Sequence, residues 1–360
     1  DSIYNGKRVL VTGHTGYKGS WLCQWLIKLG ADIVGYSLAP KTNPNHFNVL
    51  AMEMQSTIND LRDYQTLSKA FKEFKPEVVF HLGAQPSVLV SYDEPIETFS
   101  SNIMGTANIL EACKHTPSVQ AVVIVTTDKC YENREDRKYG YRENDRLGGH
   151  DPYSTSKACS ELVTASYRKS FFDTNKRNRL KGTLIASARA GNVIGGGDWT
   201  DDRLVPDIIK AAANHQIVKI RNPSSTRPWQ HVLEPLSGYL LLGQKMLEGN
   251  LEMAEAWNFG PSSDLNLTTE RLFELMRNQW SKIKGEFANR QFAPHEAGFL
   301  MLDSTKAKRR LGWSPVWGID ATVEHTINWY RTFEEESRVI TDQQIDLYSQ
   351  DAISIDTIWS

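Results

Sequence analysis

Val9-Leu-Val-Thr-Gly13-His-Thr-Gly16-Tyr-Lys-Gly19 is an apolar, β-branched run that breaks into glycines three apart. It passes straight into Trp21-Leu-Cys-Gln-Trp25-Leu-Ile, apolar at helical spacing, so the order is strand, tight turn, helix. Gly13 can take turn dihedrals that a side chain forbids, Gly16 lets backbone approach a pyrophosphate, and Gly19 lets the helix lie against the strand. The unpaired N–H groups and positive dipole end of such a helix favour phosphate. An ordinary βα connection would also carry glycines. A triplet set between a strong strand and a strong helix reads instead as a dinucleotide site.

Outward from this turn, strand and helix patterns keep alternating. Ala31 to Tyr36 reads as a second strand, and Ser37-Leu-Ala-Pro follows where many NAD-binding folds carry an acid for the ribose. No arginine stands there to grip a 2′-phosphate, and Lys41 is the nearest cation, so NAD is favoured over NADP. Thr57 to Asp63 ends a third strand; Asp60 and its neighbour Leu61 can border an adenine, and Asp63 can cap the next helix. Glu77 to Ala84 gives a fourth strand with small residues at its exit, and Ala121 to Val125 a fifth, apolar at every position as when helices cover both faces. Asp93 to Cys113 predicts a long helix in which Gly105 marks close packing or a nearby cofactor. The fold expected is α/β: a Rossmann-like, doubly wound parallel sheet with a smaller C-terminal substrate-binding domain. Residues 1–190 would hold the cofactor, with 229–259 returning to that domain; 191–330 would mainly hold the substrate, and 331–360 would form a solvated helix and tail. The charged stretch Lys169 to Lys181 reads as a solvated helix end and loop.

Composition narrows the function classes. With 360 residues the chain can bury a large core, and a net charge of −2 gives no field for nucleic acid or anionic lipid. Cys23, Cys113, Cys130 and Cys159 are scattered without metal-ligand spacing, so they read as reduced thiols and no metal is expected. No run approaches the ~18 apolar residues of a membrane span, and the opening residues have no signal-peptide core, so a cytoplasmic protein is expected.

Chemistry gathers at the fifth strand's exit. Thr126-Thr127-Asp128-Lys129 ends that strand, and the next helix opens Asp151-Pro-Tyr153-Ser-Thr-Ser-Lys157, which puts Tyr153 and Lys157 on one face. An ammonium ~4 Å from the phenol contributes at most ~4 kcal/mol at an effective dielectric of about 20, or about three pKa units. That would make Tyr153 a working base near neutrality, with Thr127 placed to hydrogen-bond the same oxygen. A surface Tyr-Lys pair is the plainer alternative. Its position after a dinucleotide turn argues for catalysis.

This Thr127, Tyr153, Lys157 arrangement, with Gly13, Gly16 and Gly19, resembles the extended short-chain dehydrogenase/reductase family across essentially the whole chain. The resemblance implies that Tyr153 takes the proton from a sugar hydroxyl while Lys157 holds the nicotinamide ribose. It also implies cofactor contacts from Thr15, Tyr17, Ser37, Asp60, Leu61, Leu82, Ala84 and Asn102. Asp128 and Lys129 add an acid and a base at the mouth of that site, which a simple oxidation or epimerisation does not need. They resemble the pair of sugar-nucleotide 4,6-dehydratases, commonly Asp-Glu. Oxidation of C4 acidifies the C5 hydrogen, a base removes it, an acid protonates the departing C6 hydroxyl, and the hydride returns to C6. Asp128 is assigned as acid and Lys129 as base, which requires a neutral lysine; the alternative is that the two simply pair.

The lysine, with Ala84-Gln-Pro-Ser87, Arg189 to Trp199, and Thr226-Arg227-Pro-Trp229-Gln-His231, resembles the branch acting on CDP-glucose. In that branch Ser87 and Asn192 would line the sugar pocket, Arg203 and Arg227 would meet the diphosphate, and Leu204 and Val205 would pack near the base. His81 and His231 read as core or hydrogen-bonding histidines. The resemblance further implies a homodimer or tetramer bundled through Asp93–Cys113 and Tyr153–Tyr167, and a role in supplying deoxysugars for surface polysaccharide. A 4-epimerase of the same fold is the first rival, with no use for Asp128-Lys129. A non-catalytic dinucleotide-sensing module is the second, with no need of Tyr153 and Lys157.

Overall fold

The computed structural model describes residues 3–134, 139–172, 182–220, 222–261, 266–287, 300–355 and 357. Six of its strands are β1 (Arg8–Thr12), β2 (Asp32–Ser37), β3 (Gln55–Ile58), β4 (Val78–His81), β5 (Ala121–Val125) and β6 (Leu184–Ala190). With Ala256–Phe259 at one edge they form a seven-stranded sheet in the order 256–259, β6, β5, β4, β1, β2, β3. Every pair is parallel. The chain therefore runs outward twice from the β1–β4 boundary, and ligands in such sheets bind at the carboxyl ends beside that switch point.

Alternation within the strands explains why both faces are covered. Val9 and Val11 pack into one core and Leu10 into another; Val123 and Val125 join the first, Val122 and Ile124 the second. The first core is closed by α1 (Tyr17–Lys28) and the helix Leu233–Leu247, the second by Tyr64–Phe74, Gly105–Lys114 and Pro152–Ser170. Trp21 and Leu22 of α1 are fully buried. At ~25 cal/mol per Å² such side chains each contribute ~2–3 kcal/mol.

The predicted helix Asp93–Cys113 is built in pieces. Pro95–Phe99 leads into a π-helical turn, Ser100–Met104, and then Gly105–Lys114. A Cβ on Gly105 would lie 3.3 Å from Leu61 Cβ, so this glycine serves close packing. Beyond β6 the sheet gives way to short pairs, Val193–Ile194 with Gln230–His231, Thr226–Pro228 with Asn266–Thr268, and Ile217–Ile220 with Lys284–Phe287.

The last thirty residues are not a solvated helix and tail. Thr341–Ser354 packs on α1, burying Ile345, Tyr348 and Ala352, with Trp25 and Tyr348 ring centroids 5.6 Å apart. Its Asp, Gln and Ser residues dominate the composition and hide the apolar stripe at spacings of three and four. Of the stretch Lys169 to Lys181, residues 173–181 lie outside the described residues, as do 358–360. Among the described residues no helix is long and apolar enough to cross a membrane, and no metal-binding cluster occurs.

Candidate active site

One cavity of about 670 Å³ opens along the carboxyl ends of the strands. Its lining joins the glycine-rich turn, Ser37, Asp60, Leu61, Leu82, Ala84 and Ser87 to Thr127, Asp128, Lys129, Tyr153 and Lys157, and to Asn192, Arg203, Leu204, Val205 and Arg227. Residues spread over two hundred positions thus face a common space.

The turn end suits a bound diphosphate. Gly13 has φ +73°, and a Cβ there would sit 2.8 Å from Gly83 N; one on Gly19 would sit 2.1 Å from the Gly13 carbonyl oxygen. No side chain caps α1, so its first N–H groups are left for a ligand. The Thr15 hydroxyl bridges to Ser37 Oγ at 2.9 Å and to the Leu38 carbonyl at 2.8 Å. Tyr17 has a buried hydroxyl without a hydrogen-bond partner. A dinucleotide fits these residues.

Asp63 caps the helix Tyr64–Phe74, accepting from Thr66 N at 3.1 Å. Asp60 borders the cavity, but Arg62 grips both its carboxylate oxygens and reaches on to Glu97. Asn102 stands outside the cavity lining, accepting from Gln85 N at 2.8 Å and donating to Gln85 O at 3.1 Å and Ser156 Oγ at 2.8 Å. Through these bonds it ties the loop after β4 to the helix Pro152–Ser170.

At the reaction end, Asp151 caps the helix Pro152–Ser170, accepting from Ser154 N at 2.8 Å, and so fixes where Tyr153 begins. Lys157, one turn on, donates to the Val125 carbonyl at 3.2 Å, and burial pushes its pKa down to about 8. Beneath them lies a buried ion pair, Arg189 with Glu161 at 2.8 Å, whose carboxylate also accepts from Thr126 and Ser187.

The protein's own groups do not by themselves bring Tyr153 to the near-neutral pKa expected from its spacing to Lys157. Burial pushes the Tyr153 pKa up to about 12, with Asp128 adding to the rise and a hydrogen bond with Thr127 opposing it. Lys157 lies one turn beyond Tyr153, gives one of its three N–H groups to a backbone carbonyl, and with a pKa of about 8 stays mostly charged at neutral pH.

Asp128 is buried, and that burial raises its pKa against the pull of Lys129, the Thr127 hydrogen bond and Arg227. Thr127 donates to its Oδ1 at 3.0 Å, while Oδ2 has no hydrogen-bond partner. Asp128 and Lys129 form no ion pair within 4 Å among the described residues, and Lys129 acts on the carboxyl through its charge. A Cβ on Gly191 would lie 2.7 Å from Asp128 Oδ2, so the glycine leaves the acid its room.

Arg203 donates to Asp198 at 3.0 Å, and Arg227, almost fully buried, donates to the Thr226 carbonyl at 2.9 Å. Ser87 caps the helix Val88–Asp93, and Asn192 O accepts from Gln230 N at 3.3 Å. His81 hydrogen-bonds Thr12 and Thr106, and His231 accepts from Leu233 N, as buried structural histidines do. Lys18 also lines this cavity and is not among the site residues expected from the sequence. The lysine's place inside the turn was the one available signal.

Comparison with known proteins agrees with this architecture. The family model described as GDP-mannose 4,6 dehydratase matches residues 10–326. The chain is 46% identical over 351 residues to the CDP-glucose 4,6-dehydratase of Salmonella typhimurium, covering 96% of this chain and 97% of that protein. Its fold is that of a UDP-glucose 4-epimerase from Thermotoga maritima, with a TM-score of 0.78 at 22% identity over 91% of this chain and all of that one. It is likewise that of a dTDP-glucose 4,6-dehydratase from Bacillus anthracis determined with NAD, with a TM-score of 0.75 at 20% identity over 92% and 98%. Match and architecture together place the chain in the GDP-mannose 4,6 dehydratase family.

Proposed function

We propose that the protein is an NAD-dependent CDP-glucose 4,6-dehydratase, converting CDP-glucose to CDP-4-dehydro-6-deoxyglucose and water. The observation that carries this reading is the near full-length 46% identity to a dehydratase of that specificity, joined to a buried acid beside the tyrosine and lysine. NAD, when bound, supplies the acceptor that takes hydrogen from C4 and gives it back to C6.

Gly13, Gly16, Gly19 and the first turn of α1 hold the diphosphate of the dinucleotide, with Thr15, Tyr17, Ser37, Asp60, Leu61, Leu82 and Ala84 around it. Lys157 orients the nicotinamide-side ribose. Tyr153 takes the proton of the C4 hydroxyl, with the Thr127 hydrogen bond and the Arg203 charge acting to lower its pKa. Lys129 removes the C5 proton. Asp128, whose pKa burial raises, donates to the departing C6 hydroxyl as the elimination proceeds. Ser87, Asn192, Leu204 and Val205 enclose the sugar, and Arg203 and Arg227 face its diphosphate. The division of labour is a cofactor part, 1–190 with 229–259, and a mainly substrate part, 191–330.

Glucose deuterated at C4 tests the scheme. The label should reappear at C6 of a product lighter by one water, with no stoichiometric demand for NAD. Label lost to solvent, or a product of unchanged mass, would overturn it, and the second result would favour the epimerase.

The elements Pro95–Met104 and Pro152–Ser170 pack on each other and leave Ile96 77%, Met104 52% and Leu162 58% exposed. We propose that this face joins two copies of the chain. Sedimentation should give a dimer or tetramer for the parent and a smaller species for Leu162→Glu; a monomeric parent would remove the proposal.

A further inference from the structure

Lys18 is the one lysine of the glycine-rich turn, and neither the diphosphate cradle nor the proton-transfer set uses it. At the start of α1 a lysine would ordinarily reach solvent. Here Lys18 lines the cavity, and its ammonium lies 3.5 Å from the Tyr239 hydroxyl and 5.7 Å from the centre of its ring. Tyr239 is fully buried and comes from the helix Leu233–Leu247. The charges acting on Lys18 are Arg203, Lys157 and Asp128, all at the reaction end of the cavity, and none belongs to the Asp60 end. Lys18 makes no ion pair among the described residues. Burial and the two neighbouring cations push its pKa down to about 7.

The position of this charge matters because the two states of the cofactor differ by one. The hydride acceptor must meet the carbon whose hydroxyl Tyr153 deprotonates, so the nicotinamide belongs at the end that Lys18 faces; this step rests on the NAD reading proposed above. The oxidised ring carries a unit positive charge that the reduced ring lacks. We infer that Lys18 disfavours the oxidised nicotinamide relative to the reduced one, making the site a stronger hydride acceptor and a weaker holder of NAD. Asp128, the anion among the charges acting on Lys18, does not offset burial and the two cations. In a buried cavity such a pair of like charges is little screened.

Equilibrium titration of the full-length protein with NAD, NADH and ADP-ribose, which lacks the nicotinamide, tests the inference. Lys18→Met keeps the aliphatic stem and removes the charge. The ratio Kd(NAD)/Kd(NADH) should fall about tenfold, equivalent to about 1.4 kcal/mol, while ADP-ribose affinity stays within about twofold. Lys18→Gln is a second neutral variant should the methionine disturb folding, and Lys18→Arg, which keeps the charge, should keep the parental ratio. An unchanged ratio in the neutral variants overturns the inference. So does uniform weakening of all three ligands, which would assign Lys18 to the diphosphate. A parent that binds neither NAD nor ADP-ribose would instead overturn the cofactor reading beneath it.

Discussion

Tyr153 needs help to lose its proton. Burial foremost, with Asp128 adding to it and Thr127 and Arg203 opposing, raises its pKa from 10.0 to about 12, a net cost to the phenolate of roughly 3 kcal/mol. Tyr153→Phe should lower dehydration by roughly 10²–10⁴-fold, the usual scale of a general base. Rapid-scan absorbance during a single turnover should show no reduced cofactor. Asp128→Asn separates the steps, since asparagine keeps the volume but cannot deliver a proton. Reduced cofactor should accumulate while water loss slows by a similar factor; normal dehydration would remove Asp128 as the acid. Because burial raises the Asp128 pKa, its acid form persists above the ordinary carboxylate range. Asp128 should therefore give the rate of elimination a fall on the alkaline side of that raised value, a limb that Asp128→Asn should remove from the pH profile. Thr127, Asp128, Tyr153 and Lys157 were legible in the sequence because each sits at a strand end or in a helix's first turns, where spacing fixes direction. Lys18 and Tyr239 were not legible, since only packing decides that a lysine folds inward.

The elements that position these residues are held by buried polar links. The π-helical turn Ser100–Met104 presents Asn102 to both Gln85 and Ser156. Asn102→Ala removes three hydrogen bonds between the loop after β4 and the helix carrying Tyr153. At ~1 kcal/mol net each, the protein should lose roughly 2–4 kcal/mol in chemical denaturation. Turnover should fall less than in Tyr153→Phe, because no reacting group is lost. Alternation of strand and helix made the sheet legible as far as β6. The extra residue of a π turn leaves no periodic trace in a single sequence, so the brace that Asn102 makes was not legible there.

Across the whole molecule, Glu234 binds distant segments together. Its carboxylate accepts from Val316 N, Trp317 N and Tyr348 Oη at 3.0, 2.7 and 2.7 Å. Burial raises its pKa from 4.5 to about 7. Between those values the folded protein binds more protons at this site than the unfolded chain, so the contribution is fully present below about pH 4.5 and is lost as pH rises through about 7. Stability should decline over that window by up to roughly 3 kcal/mol from this group. In Glu234→Gln this part of the slope should vanish when unfolding is compared at pH 5 and 8. The same closing segment grips α1: Asp342 accepts from Gln24 at 2.7 Å, Lys28 pairs with Asp346, and Tyr348 lies edge-on to Trp25. The helix that offers its amide end to a phosphate is thus steadied from behind by residues more than three hundred positions away. Trimming the chain before Thr341 should loosen the grip on the dinucleotide while leaving every reacting side chain in place, so the far end of the polypeptide tunes its beginning.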